Sequence, residues 1–288
     1  MILRGYMDEA RDDKTFNLTA VIGDGGTWFY FEQDWLKVID EKNKELEAQG
    51  RPPISRYHAT DCQFSMKEFK GWGGDERNAF CKKLFQIFEK YRMDVLGYSF
   101  DFKELVDEIP EAKPNPLGFA YIIALCFVML EIGDFTLRRE RDAVISLVHD
   151  RCDYDTAMLE MFNAMVNDDG FPYRQRFTTI ASMSWEHCVP LQPADLMAYE
   201  NFKESQRLKY RSEDPIRRSL SVILNRGRMG GRLRGFDRAT LKQLKERIDS
   251  MHPDSRELLL ATARIYKPTD QKTIRKTKRR KATPKQGL

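Results

Sequence analysis

The sequence predicts an α/β protein whose mixed sheet combines antiparallel strands with strand–helix units, flanked by helices and followed by a basic helical extension. Three observations carry this. Short alternating apolar segments open the chain before any helical period begins. From Met93 onward, strand-length and helix-length apolar segments alternate. The chain has 288 residues, 41% of them hydrophobic, enough for a large core.

Taken in order, residues 2–7 read as a strand ending at Asp8 and Glu9, and a polar turn over 10–14 leads to a second strand at 16–22. Asp24-Gly25-Gly26 has the composition of a hairpin turn, so residues 27–31 are expected to form a third antiparallel strand. Trp35, Leu36, Ile39 and Leu46 mark an amphipathic helix before a break at 50–53. Residues 54–75 read as irregular and contain His58 and the turn Gly71-Trp72-Gly73-Gly74. Phe80, Leu84, Ile87 and Phe88 share one side of a helix from about 76 to 91.

Residues 93–100 then form a strand, 117–137 a buried helix and 143–148 an apolar strand ending at His149-Asp150. The apolar centre of that helix, 119–130, is short for a bilayer span. Residues 155–166 are helical, 177–182 extended, and 192–208 helical with Pro193 in the first turn, where proline fits best. Further helices are expected near 214–225, 237–250 and 254–265, interrupted by a Gly/Arg loop, and 267–288 reads as a disordered tail.

Composition narrows the function classes. With 32% charged residues, 17 Gly and 12 Pro, the chain is neither membrane-like nor fibrous, and 18 Phe make it too aromatic for a disordered protein. The first residues turn acidic without an apolar signal core, so a soluble cytoplasmic protein without a membrane partner is expected. The net charge of +4 conceals a segregation. Residues 1–202 hold 23 Lys/Arg against 35 Asp/Glu, residues 203–247 hold 14 against 5, and the tail 267–288 holds 9 against 1. An acidic body beside a basic third suits carboxylate chemistry next to a polyanion surface.

The five cysteines, Cys62, Cys81, Cys126, Cys152 and Cys188, are odd in number and form no CxxC, which indicates no disulfide framework. Their expected role is as small buried apolar residues. His58 with Cys62, His149 with Cys152, and His187 with Cys188 are the pairs from which a composite zinc site would be built.

Several acids fall at the ends of elements. Asp8 ends the first strand, Asp150 follows an apolar strand, and Asp195 lies one turn into its helix on the face of Gln192 and Tyr199. Glu9 faces away from Asp8 unless the strand bends there. Taken singly, each acid has an ordinary use as a helix cap or an arginine partner. Brought together, three carboxylates require a divalent cation, and all-oxygen ligands suit Mg2+ or Mn2+. Such a centre activates water and stabilises an in-line phosphoryl displacement. His58 is a candidate proton carrier or phosphate ligand, whereas His149 faces the other side of a straight strand. Arg226, Arg228, Arg232 and Arg234, spaced by glycines, are candidate nucleic-acid ligands, since guanidinium binds phosphate in bidentate fashion.

Gly5-Tyr6-Met7-Asp8-Glu9, Tyr57-His58-Ala59-Thr60-Asp61, the strand-terminal Asp150 and Leu191-Gln192-Pro193-Ala194-Asp195-Leu196 together resemble the family catalogued as domain of unknown function 3800. The resemblance covers residues 1 to about 205 and implies a ribonuclease-H-like fold, from which the chain departs by one more βα unit and an insertion at about 50–92. It also implies a metal-dependent phosphodiesterase site of Asp8, Asp150 and Asp195, with Glu9 and His58 nearby and Gln192 in support. Ala10 and Arg11 stand where that family has Ser-Gly. The fourth acid is left open among Glu41, Glu45 and Glu47. The expected organisation is thus a core at 1–205, a basic helical extension at 206–266 and the tail. The expected function is a Mg2+- or Mn2+-dependent nuclease acting on DNA or RNA. The alternative is a non-catalytic nucleic-acid-binding adaptor that retains the fold. A serine or cysteine hydrolase is disfavoured, since no GxSxG elbow occurs.

Overall fold

The computed structural model describes residues 1–91, 93–139, 143–217, 220 and 230–265. The chain opens with two long strands, β1 (Ile2–Arg11) and β2 (Thr15–Asp24), paired antiparallel. Their turn is closed by Asp12, whose Oδ1 accepts from the backbone N–H groups of Lys14 and Thr15 at 2.9 and 2.8 Å. β1 therefore runs through Ala10 and Arg11 without stopping at the acidic pair.

Residues 27–31 are helical rather than a third strand. Asp24 caps α1 (Gly25–Ala48): its Oδ1 accepts from Thr27 N–H at 2.9 Å. The same Asp-Gly-Gly that would turn a hairpin satisfies a helix start instead, because Trp28, Phe31, Trp35, Ile39, Lys42 and Leu46 then bury one continuous stripe. The segment that follows contains α2 (Ala59–Gln63) and leads into α3 (Gly74–Lys90).

The third antiparallel strand is β3 (Asp94–Asp101), which pairs with β2. After it come α4 (Phe102–Glu108), α5 (Pro116–Arg139), β4 (Val144–Asp150), α6 (Asp155–Asn167), β5 (Phe177–Met183) and α7 (Leu191–Tyr210). The Gly/Arg loop expected before the last helices includes a strand, β6 (Gly230–Phe236), followed by α8 (Arg238–Asp249) and α9 (Pro253–Arg264). The helix expected near 214–225 and the tail fall largely or wholly outside the described residues.

The sheet order is β5-β4-β1-β2-β3-β6, and every strand but β2 runs in one direction. One face carries α4, α5, α6, α8 and α9 over Met7, Phe16, Leu18, Phe100 and Leu147. The other carries α1, α2, α3 and α7 over Tyr6, Val21 and Val95. Because β6 is hydrogen-bonded to β3 and Phe236, Leu241 and Leu259 enter the first core, the segment after 230 continues the same sheet and core. α5 is longer than the sequence suggested, and residues 116–137 are long and apolar enough to cross a membrane; yet Phe119 to Leu125 are all buried against the sheet and neighbouring helices, as in a core helix.

Beneath α7 lies a buried polar chain. Asn201 Nδ2 donates to Thr19 Oγ1 (3.1 Å), Thr19 Oγ1 to Asn17 Oδ1 (2.8 Å), and Asn17 Nδ2 to Ser99 Oγ (2.7 Å). Gly97 makes room for it, since a Cβ there would overlap Asn201 Nδ2 and meet Leu233 Cδ2 at 3.0 Å. Gly97→Ala is expected to lower stability by about 1–3 kcal/mol by overpacking this seam. Denaturant unfolding measures it, and an unchanged midpoint would show that α7 is not held there.

Candidate functional site

β1 and β4 are parallel in a register that pairs Tyr6 with Val148 and Met7 with His149. One residue further, Asp8 and Asp150 stand side by side at the same end of the sheet. Alternation places both on the face of Tyr6 and Val148, which α7 covers. α7 packs across β1 and β2, and Asp195 in its second turn adds a third half-buried carboxylate to the group. Pro193 sits in the first turn, where its missing N–H breaks no helical bond.

The three acids sense one another. Burial, then the charges of Asp195, Glu9 and Asp150, hold the Asp8 carboxyl well above the usual range, although Glu9 N–H donates to its Oδ1 at 2.7 Å. Asp150 is pushed up to about 6, first by burial and then by Glu9, with Arg151 N–H (3.0 Å) and the Arg56 guanidinium opposing. Burial also raises Asp195, against the charges of His58 and Arg56 and an N–H bond from Ala59 to its Oδ2 at 2.7 Å. Carboxylates that hold their protons because of burial and neighbouring negative charge have the electrostatics of a cation site, and their all-oxygen donor set suits Mg2+ or Mn2+.

Glu9 takes a different place from the one the resemblance implies. β1 continues to Arg11 without a bend, so Glu9 projects to the opposite face, where burial and then its charge raise the pKa of Tyr121 and of Cys152. It acts on the aspartates only through space. Of the helix acids, Glu41 and Glu45 lie against Lys83, and Glu45 also against Lys42.

The segment before α2 is fixed by Gln192. Its Oε1 accepts from Tyr57 N–H at 2.9 Å and from Trp35 Nε1 at 3.1 Å, so one buried amide ties this segment to α1 and α7. His58 caps α2, with Nδ1 2.9 Å from Asp61 Oδ2, and Asp61 also binds Lys67 at 2.7 Å. His58 thus has a structural partner and still contributes to the field at Asp195. Arg56, which the sequence did not single out, stacks on Trp185 with its guanidinium 3.4 Å from the ring centroid and faces the charges of Asp195 and Asp150. Its sequence offers no period or motif; only the fold brings it to the acids.

On the opposite face, ligand atoms of His149, Cys152 and Asp155 lie within 4.8 Å of one another. This set has the nitrogen, sulfur and oxygen donors of a zinc site, and it joins one of the three His/Cys pairs to an acid rather than to another pair. Its members already have partners: Asp155 accepts from Cys152 N–H (2.8 Å) and Ser182 Oγ (2.6 Å), and His149 Nδ1 donates to Asp150 O (3.0 Å). Burial keeps His149 neutral by lowering its pKa. The oxygens of the three aspartates are spread more widely than this set.

Two of the expected phosphate ligands fall among the described residues. Arg232 and Arg234 sit on β6 beside Glu131 of α5, at 3.7 and 2.8 Å, so β6 uses them to pair with the body. Arg226 and Arg228 lie outside the described residues. Compared with known families the chain matches no family model, and no curated protein matches it.

The raised carboxyls set a pH dependence. A free aspartate has a pKa of about 3.9; Asp150 in the folded protein loses its proton only near 6. The folded state therefore binds more protons across this window, and stability falls as pH rises through it. In EDTA, Asp150→Asn is expected to stabilise the protein by up to about 2–3 kcal/mol above pH ~7, a gain that shrinks toward pH ~4. Thermal melts across pH measure this; a variant equal to or less stable than the parent at high pH would contradict the repulsion.

Proposed function

We propose that the chain is a divalent-metal-dependent phosphodiesterase acting on nucleic acid, built on a ribonuclease-H-like fold. The observation that carries this reading is the pairing of Asp8 with Asp150 at the ends of adjacent parallel strands, with Asp195 above the same face. The topology supports it as well: an antiparallel β1-β2-β3 meander with β4 and β5 added in parallel beside β1 is the arrangement that the resemblance implies. β6, α8 and α9 are additions at the far edge.

Asp8, Asp150 and Asp195 would hold Mg2+ or Mn2+, which supplies an activated water and charge neutralisation at the phosphate. The protein's own groups do the rest. Ala59 N–H fixes one oxygen of Asp195 and so orients its carboxylate. Arg56, rigid against Trp185, offers a guanidinium to a phosphate oxygen at the edge of the acidic group.

The basic third contributes less than its charge suggests. Arg217 is bidentate to Glu200, Lys209 binds Asp101 and Glu104, and Arg238 binds Asp107 and Glu108. Strand affinity is therefore assigned to Arg56 and to the lysine-rich residues 267–288.

Incubating labelled DNA and RNA with Mg2+ or Mn2+ tests the reading. The parent is expected to cleave, and Asp195→Asn to fall to the rate seen in EDTA while still binding the strand. Cleavage by the variant, or cleavage indifferent to EDTA, would overturn the mechanism; binding without cleavage by the parent would identify an adaptor.

A further inference from the structure

Two cysteines meet where no cysteine pattern in the sequence pointed. Cys62, in α2, and Cys81, in α3, bring their sulfurs to 3.9 Å across 19 residues of chain. A disulfide needs a sulfur separation of about 2.05 Å, a closure of roughly 2 Å. α2 is a five-residue helix between loops, the kind of element able to shift by that amount.

The two thiols differ in access. Cys62 is buried, at 1% exposure. Cys81 is partly exposed, and both cysteines line a cleft of about 840 Å³ with Tyr57, Arg77, Tyr199 and Arg217 among its walls. They differ in chemistry too. The Cys62 thiol lowers the pKa of Cys81 by hydrogen bonding; Tyr57 and the charge of Arg217 add to this, while burial opposes it. Cys62 is shifted the other way, first by its contact with Cys81 and then by burial. Cys81, the more accessible residue, is thus placed to react first, with the Cys62 sulfur 3.9 Å away to resolve it.

We propose that Cys81 and Cys62 form a reversible, hydroperoxide-driven disulfide that pulls on the α2 backbone holding Asp195. The Cys81 thiolate attacks the nearer oxygen of ROOH: an S–O bond forms, the O–O bond breaks, and RO− leaves and takes up a proton as ROH. Cys62 then gives up its proton and attacks the Cys81 sulfur. The S–S bond forms and hydroxide leaves as water. Two thiols and ROOH become a disulfide, ROH and water, with two electrons passing from the sulfurs to the peroxide bond. A dithiol reductant reverses it.

The connection to the acids is short. The first residue of α2 is Ala59, whose N–H donates to Asp195, and Cys62 N–H donates to His58 O within the same turn. Drawing Cys62 toward α3 moves this turn, and with it the donor that orients Asp195. This consequence rests on the carboxylate reading; the disulfide does not.

The test treats the parent protein with hydrogen peroxide, maps its cysteines by mass spectrometry of the digest, and records the melting shift caused by Mn2+ before and after. The expected result is a Cys62–Cys81 cross-linked peptide that dithiothreitol removes, and a smaller Mn2+ shift in the oxidised protein. Cys62→Ser should leave Cys81 as a sulfenic acid trapped by a 1,3-diketone. Oxidation that leaves both thiols free, or links other cysteines, would overturn the disulfide. A cross-link with an undiminished Mn2+ shift would overturn its coupling to Asp195. A reduced protein without any Mn2+ shift would instead overturn the carboxylate reading while the cross-link stands.

Discussion

Two carboxylates held side by side at the ends of β1 and β4 form the constraint around which this end of the molecule is arranged. The parallel register fixes Asp8 beside Asp150, and neither can move away without breaking strand pairing. α7 then sets Asp195 over the same face; burial raises the proton affinity of all three, and neighbouring carboxylates add to it, Asp195 and Glu9 among them at both Asp8 and Asp150. What surrounds them offsets that repulsion: backbone N–H groups from Glu9, Arg151 and Ala59, and the charge of Arg56. Gln192 keeps the segment that carries Arg56 and Ala59 in place, because its single oxygen anchors both Tyr57 and Trp35. A polar residue buried in the helix start is thereby turned into the hinge pin of the whole segment from Arg56 to Ala59.

The opposite side of the sheet obeys the same alternation with other results. Glu9 and His149, the immediate neighbours of Asp8 and Asp150, belong to the face of α5 and α6, where they meet Tyr121, Cys152 and Asp155. The sheet edge therefore divides adjacent residues between two chemical settings. Away from this edge, and among the described residues, much of the basic charge after Phe202 is paired within the molecule. Asp107 of α4 and Glu111 just beyond it receive Arg238, Lys245 and Arg256 from α8 and α9, which staple that end to the body. Such pairs are exposed and individually weak, but they remove cations from a supposed polyanion surface.

Much of the architecture was legible in the sequence where pattern and length agreed. The strands near 93–100 and 143–148, the buried α5 and the Pro193 helix follow from apolar periodicity. Asp150 was recognisable as a carboxylate ending an apolar strand. The start of α1 was not, because Asp24-Gly25-Gly26 suits a hairpin and a helix cap equally; burial of Trp28 and Phe31 in register with Trp35 decided it. β6 was hidden by its glycines and arginines, and only its pairing with β3 makes it a strand. Arg56 and the Cys62–Cys81 contact depend on residues distant along the chain, Trp185 and α3, and no local pattern encodes them.

The central claim is that Asp8, Asp150 and Asp195 are one cation site whose raised proton affinity is the counterpart of its metal affinity. The most direct measurement is calorimetric titration of the protein with Mn2+ near pH 6, in two buffers of different ionisation enthalpy. Binding is expected to expel protons, because carboxyls such as Asp150, with its pKa of about 6, must ionise to accept the ion, and Asp8→Asn should lose both the binding and the proton release. Binding with no buffer dependence, or undiminished in Asp8→Asn, would contradict the account.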